Sequence, residues 1–126
     1  MVSAPALRAT ALSVTSATRT SLTHGVELDL WAGTTTALVG PSGAGKSLTL
    51  RAMAALLPPG LNAAGRVWLG EADLLTMSGR RLRGIRGKDL GWIGQDATAS
   101  LNPTVTVGRH FTESMRAHAP SAKRRG

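Results

Sequence analysis

Leu7, Ala9, then Ala11 or Leu12, and Val14 come close to alternating with polar neighbours, the period of a half-buried strand. A second alternation, Val26-Glu27-Leu28-Asp29-Leu30-Trp31, puts Val26, Leu28 and Leu30 on one face and stops at the Ala32-Gly33 turn. Thr35 to Val39 is a short β-branched and apolar run that ends abruptly in Gly40-Pro41-Ser42-Gly43, as a buried strand ends in a loop. From Lys46 onward Leu48, Leu50, Met53, Ala54 and Leu57 recur at helical spacing until Pro58-Pro59-Gly60 stops the helix. Downstream, Gly65 to Leu69 reads as a strand, Met77 to Ile85 as a short basic helix, and Leu90 to Gly94 as a strand ending at Gln95. The pattern predicts an α/β chain in which strand, glycine loop and helix follow one another directly.

With 126 residues, 42% hydrophobic and 17% charged, the chain fits one globular domain or part of one, and is too apolar for disorder. Zero Cys removes disulfides, Cys-ligated zinc and thiol nucleophiles together. The longest apolar stretches, such as Ala52 to Leu57, fall far short of the roughly 18 residues that cross a bilayer. A formal charge of +8 favours an anionic partner: a nucleotide, a nucleic acid, an acidic lipid or an acidic protein. One Phe, three Trp and no Tyr argue against a stacking platform for single strands, so no nucleic acid partner is expected. The charge clusters in Arg80, Arg81, Arg83, Arg86 and Lys88 and again in Lys123 to Arg125, which read as a solvated helix face and a tail. Residues 1 to 26 hold no acid and many Ser, Thr and Ala, a composition shared with organellar transit peptides, but the alternation from Leu7 favours a strand.

Gly40-Pro41-Ser42-Gly43-Ala44-Gly45-Lys46-Ser47 matches G-x-x-x-x-G-K-[ST] between a predicted strand and a predicted helix, the context that motif requires. Glycines at this spacing let consecutive backbone N–H groups turn inward as an anion-binding nest, and the positive end of the helix dipole points at the same phosphates. Lys46 reaches the β and γ phosphates, and Ser47 offers a hydroxyl to Mg²⁺, a hard cation that prefers oxygen ligands. These eight residues with Leu48 form the expected nucleotide site, with Mg²⁺ as its expected metal.

A phosphate loop alone does not separate kinases, GTPases and transport ATPases. The segment Leu82-Arg83-Gly84-Ile85-Arg86-Gly87-Lys88-Asp89-Leu90-Gly91-Trp92-Ile93-Gly94-Gln95-Asp96, followed by Ser100-Leu101-Asn102-Pro103 and Thr106-Val107-Gly108, resembles the Q-loop region of ABC transporter ATP-binding proteins, closely so in the oligopeptide, dipeptide and nickel importer branch. Leu38 to Leu57, the Pro58-Pro59-Gly60 break and Gly65 to Leu75 also look like that family, so the resemblance covers nearly the whole chain. It implies a P-loop NTPase (RecA-like) core with amino-terminal antiparallel strands, truncated where the helical subdomain starts, with residues 1–95 running to the Q-loop and 96–126 holding the Q-loop and the beginning of that subdomain. It implies that Gln95 contacts Mg²⁺ and the attacking water and links the site to membrane-spanning permease subunits. ATP as the bound nucleotide, a second ATP-binding subunit and a peripheral position on the cytoplasmic face of the membrane are implied as well.

Several departures bear on activity. No aromatic stands near Ser16, where the family usually carries an adenine platform, and Arg19 or His24 are the planar or cationic candidates to replace it. Gly94 replaces the aromatic that commonly precedes the Q-loop Gln. No apolar run followed by Asp-Glu occurs, so the second Mg²⁺ carboxylate and the general base are absent from these residues, and Met77-Ser78-Gly79-Arg80 only mimics the family signature, from the wrong side of the Q-loop. Whether the chain is itself an enzyme stays open on this reading. The competing expectations are a fragment that binds nucleotide or a partner without turnover, and a small P-loop kinase, which would need an arginine-bearing lid that the Gln-Asp…Ser-Leu-Asn-Pro segment does not provide.

Overall fold

The computed structural model describes residues 3–96 and 98–119. Two compact units divide between Leu82 and Arg83. The first is built on a four-stranded antiparallel sheet in the order β2-β1-β3-β4, with β1 Leu7–Ser16, β2 Ser21–Leu30, β3 Leu61–Leu69 and β4 Ala72–Asp73. Helix α1, Lys46–Met53, packs on the face of β1 and β2. Ala9, Leu12, Val14 and Val67 from the sheet meet Ala52 and Met53 from the helix in a core that also buries Leu7, Ala54 and Leu74.

The near-alternation of β1 has a physical origin in a bulge. Ala11 sits at φ 48°, the registers with both neighbours shift across it, and the phase slips so that Leu12 rather than Ala11 enters the core. Backbone groups that lose ladder partners there are met by side chains of the neighbouring strand. Ala11 N donates to Glu27 Oε1 at 2.6 Å, Gly25 N to Ser13 Oγ at 2.8 Å, and Val14 N to the buried Thr23 Oγ1 at 3.0 Å. On the opposite side Gly65, at φ 98°, faces the Ala11 carbonyl so closely that no side chain would fit. Arg8 and Asp29 pair on the exposed face at 2.8 Å; the guanidinium hydrogen bond holds the Asp29 carboxyl below its usual range, and the carboxylate holds Arg8 above its own.

The chain turns tightly from β3 to β4 with Gly70 at φ 59°, as the mirror-image hairpin turns require. Asp73 then ties the hairpin: its Oδ1 accepts from Val67 N at 3.3 Å and Leu75 N at 3.1 Å. Both β2 and β3 begin earlier than the hydrophobic pattern suggests. Ser21 to Gly25 and Leu61 to Ala64 lack a regular apolar alternation and are held by pairing with β1, a tertiary effect that overrides local pattern.

Two expected strands are corrected. Residues 34–40 form no strand, and Val39 is 84% exposed. Of Leu90 to Gly94 only Leu90 makes a single bridge, to Arg86, and Ile93 is 98% exposed. A strand is stable only with a ladder partner, and among the described residues neither segment pairs beyond that one bridge. Neither segment therefore adds a strand to the sheet.

Helix α1 also ends earlier than Pro58. Leu56 N bonds Arg51 O at 2.7 Å and Ala55 N bonds Ala52 O at 3.0 Å, the paired bonds of a Schellman stop, with Ala55 left-handed at φ 54°. Alanine is strained there and glycine is not. Ala55→Gly is expected to raise stability by about 0.5–1 kcal/mol, read as a higher urea midpoint with unchanged m-value.

The second unit carries helix α3, Val107–His118, entered through Thr106, whose side chain accepts from Arg109 N. Helix α2, Gly79–Ile85, lies across the division and buries no residue, so Arg80, Arg81 and Arg83 are solvated as expected, as is Lys88 beyond it, whereas Arg86 is half-buried. The basic run Lys123 to Arg125 lies outside the described residues.

Candidate functional site

The phosphate loop takes its shape from two left-handed glycines, Gly43 at φ 80° and Gly45 at φ 89°. Ala44 N returns to Pro41 O at 3.2 Å, closing the turn, and Gly45 occupies the N-cap of α1, where Thr49 N bonds its carbonyl at 2.9 Å. No side chain caps α1, so the donors of its first turn are left to whatever sits in the loop. The Lys46 ammonium donates to Gly40 O at 2.6 Å and Pro41 O at 2.7 Å, which holds it over the loop. Ser47 on the same first turn is exposed, Leu48 is half-buried, and Thr49 is buried and anchors the helix to the sheet. Gly40 to Leu48 are thus brought together as one loop and helix start.

A contact absent from the sequence reading fixes this loop. The side chain of Thr23 on β2 lies directly against Gly45: a Cβ built there would stand 2.6 Å from Thr23 Cγ2. Thr23 cannot turn aside freely, because it is buried and its hydroxyl satisfies Val14 N. The Thr23 methyl group is thus one point at which the sheet limits where the phosphate loop can lie. No motif marks Thr23; the only signal is a polar β-branched residue where the strand was not yet expected to have begun.

The loop suits a phosphate group: left-handed glycines, a helix start that no side chain caps and a lysine ammonium held over the loop together supply N–H donors and positive charge. Among the described residues no group of three or more His, Cys, Asp or Glu could cage a metal, and a Mg²⁺ carried by nucleotide phosphates needs none.

Around the expected base platform, the turn after β1 is a mesh of hydroxyls: Ser16 Oγ and Thr18 Oγ1 stand 2.8 Å apart, and Thr20 N donates to Ser16 Oγ at 3.1 Å. Of the two candidates to replace the aromatic, Arg19 lies in this turn at φ 62°, and the His24 ring is fixed on β2 by Ser21 Oγ at 3.0 Å.

Gln95 lies in the second unit and is exposed. A side chain at Gly94 would begin 3.7 Å from Trp92 Nε1 and 3.8 Å from Ser100 Oγ, ordinary contacts, so the position has room for more than glycine. Asp96 Oδ1 accepts from Thr98 N at 3.0 Å and Ala99 N at 3.2 Å, and Ser100 Oγ donates to Asp96 O at 3.0 Å. Asn102 Oδ1 accepts from Thr104 N at 3.0 Å and Thr104 Oγ1 at 2.7 Å. Leu101 remains 43% exposed.

Comparison with known proteins agrees with this geometry. The family model described as ABC transporter matches residues 23–125. The chain is 42% identical over 103 residues to the dipeptide transport ATP-binding protein DppD of Bacillus subtilis, covering 80% of this chain and 31% of that protein. It is 41% identical over 102 residues to the oligopeptide transport ATP-binding protein OppD of the same organism, covering 79% and 28%. It is 32% identical over 97 residues to the metal-staphylopine import system ATP-binding protein CntD of Staphylococcus aureus, covering 77% and 36%. The chain spans about a third of the length of these curated relatives. With a phosphate loop built as described and the match running from β2 through the Gln95 segment to α3, the chain belongs to the ABC transporter family.

Proposed function

We propose that these residues form the nucleotide-binding part of an ATP-binding subunit of an importer for peptides or a related small solute such as nickel, in which ATP binding and hydrolysis drive uptake. The observation that carries the reading is the phosphate loop: Gly43 and Gly45 left-handed, α1 opening directly from it, and Lys46 Nζ poised over Gly40 and Pro41. Gly40 to Leu48 hold ATP by its phosphates, with Lys46 on the β and γ groups. Ser47 supplies a hydroxyl to Mg²⁺, and Gln95, by the family resemblance, offers Mg²⁺ and the attacking water an uncharged amide that can both donate and accept. The Mg²⁺, when bound, neutralises phosphate charge.

The remaining parts of the reading follow from the family. The subunit sits peripherally at the cytoplasmic face, pairs with a second ATP-binding subunit and meets membrane-spanning permease subunits. Among the described residues no helix is long and apolar enough to cross a membrane. Gln95 to Pro103 is the docking surface for a cytoplasmic helix of the permease, and Leu101, half exposed on an otherwise small and polar segment, is its anchor. Ala97, in the same segment, lies outside the described residues.

The 126-residue chain itself lacks an apolar run ending in Asp-Glu and a Leu-Ser-Gly-Gly-Gln signature, which favours the second reading for the chain alone, nucleotide binding without turnover. Phosphoryl transfer needs a positioned water and neutralised charge together. Calorimetric titration with ATP, with and without Mg²⁺, paired with a phosphate-release assay is expected to show binding and no sustained release. Absence of binding would overturn the assignment, and release that Lys46→Ala abolishes would overturn the second reading.

A further inference from the structure

We propose that Asp96 is a positioning residue for Gln95, shaping the segment that carries the glutamine without itself touching nucleotide. This rests on the proposed function in taking Gln95 as a working residue, and goes beyond it in assigning a role to its neighbour.

From Gly94 to Thr106 the described side chains are exposed or at most half-buried, so packing cannot define the shape of this stretch. Side-chain to backbone hydrogen bonds do so instead. Asp96 Oδ1 gathers the amides of Thr98 and Ala99, and Ser100 Oγ closes back on Asp96 O. Ser100 Oγ also lies beside Gly94, 3.8 Å from where a side chain there would begin. The hydrogen bonds start at the residue that directly follows Gln95, so the backbone leaving the glutamine enters a segment whose shape Asp96 sets. Next comes Asn102, whose Oδ1 binds Thr104 twice and whose carbonyl stands 3.3 Å from His110 Nε2 on α3, so the order set by Asp96 runs on into a helix.

The Asp96 charge matters as well as its shape. Hydrogen bonds from Ala99 N–H first, and then from Thr98, hold its carboxyl below the usual carboxylate range. No charged side chain among the described residues is a cause of that shift. A carboxylate accepts from two amides more strongly than a neutral amide oxygen does.

The test uses the intact transporter with Asp96→Ala and Asp96→Asn, and this chain for spectroscopy. In Asp96→Ala the ATPase kcat is expected to fall about tenfold while the dissociation constant for Mg²⁺-ATP stays within twofold. Asp96→Asn keeps an acceptor oxygen and is expected to recover to within about threefold of the parent. Independently of how the alanine variant turns over, the amide proton shifts of Thr98 and Ala99 should move away from the parent values in Asp96→Ala and stay close to them in Asp96→Asn. Amides that do not move in Asp96→Ala, an alanine variant with unchanged kcat, or affinity and kcat falling in parallel would each overturn the proposal. Lys46→Ala separates the two levels: if that variant binds ATP normally the nucleotide reading fails, whereas if it fails to bind and Asp96→Ala behaves as the parent, the Asp96 assignment alone is lost.

Discussion

Replacing Lys46 with Ala is expected to lower affinity for Mg²⁺-ATP by about ten- to hundredfold with little change in folding stability. Hydrogen bonds from a charged donor are worth roughly 1.5–3 kcal/mol, and each 1.4 kcal/mol is about tenfold in affinity. The folding side is small because the two bonds lost, to Gly40 O and Pro41 O, are exposed and water replaces the donor. Ser47→Ala should act differently, weakening binding only when Mg²⁺ is present, since its hydroxyl serves the ion rather than the phosphates. Calorimetry in the presence and absence of Mg²⁺, alongside a melting curve, checks all three expectations. Unchanged affinity in Lys46→Ala would remove the phosphate loop assignment. A loss of affinity that tracks a large fall in melting temperature would mean that the lysine acts on the fold.

Legibility in the sequence divides along a physical line. The phosphate loop was readable because its chemistry is local: glycines, a lysine and a hydroxyl at fixed spacing dictate both the backbone and the charge. β1 was readable down to its irregularity, since the choice between Ala11 and Leu12 is the phase slip that the bulge produces. What long-range pairing decides was not readable. Thr35 to Val39 carries the composition of a buried strand, but burial needs a partner strand, and among the described residues it has none. Ala55 closes α1 with an unfavoured conformation that no propensity points to. Helix α3 went unread although Thr106 has the chemistry of an N-cap and Val107, Phe111 and Met115 recur at four-residue spacing. All three are exposed, so the stripe records a face that the described residues leave uncovered. At Asp96 the signal was present in the short polar and small residues that follow it, which favour a side chain folding back on its own backbone. It was overshadowed by the glutamine before it.

The shape of the phosphate loop, as distinct from its charge, is tested by Gly45→Ala. Two separate penalties apply. At φ 89° a β-carbon costs about 1–2 kcal/mol of backbone strain. The same β-carbon would stand 2.6 Å from Thr23 Cγ2, and the threonine cannot rotate away without breaking the 3.0 Å bond from Val14 N. Forcing an added methyl into a packed contact costs roughly another 1–3 kcal/mol. The loop is exposed, so it yields before the sheet does, and the N–H groups that converge on phosphate lose their alignment. Affinity for Mg²⁺-ATP is expected to drop at least about tenfold although every charged group is retained. Adding Thr23→Ser isolates the steric part, because serine keeps the hydroxyl for Val14 and removes the methyl. The double variant should recover part of the lost affinity, whereas Thr23→Ser alone should bind ATP like the parent. A double variant no better than Gly45→Ala would show that backbone strain accounts for the whole loss, and the link from β2 to the phosphate loop would then be withdrawn.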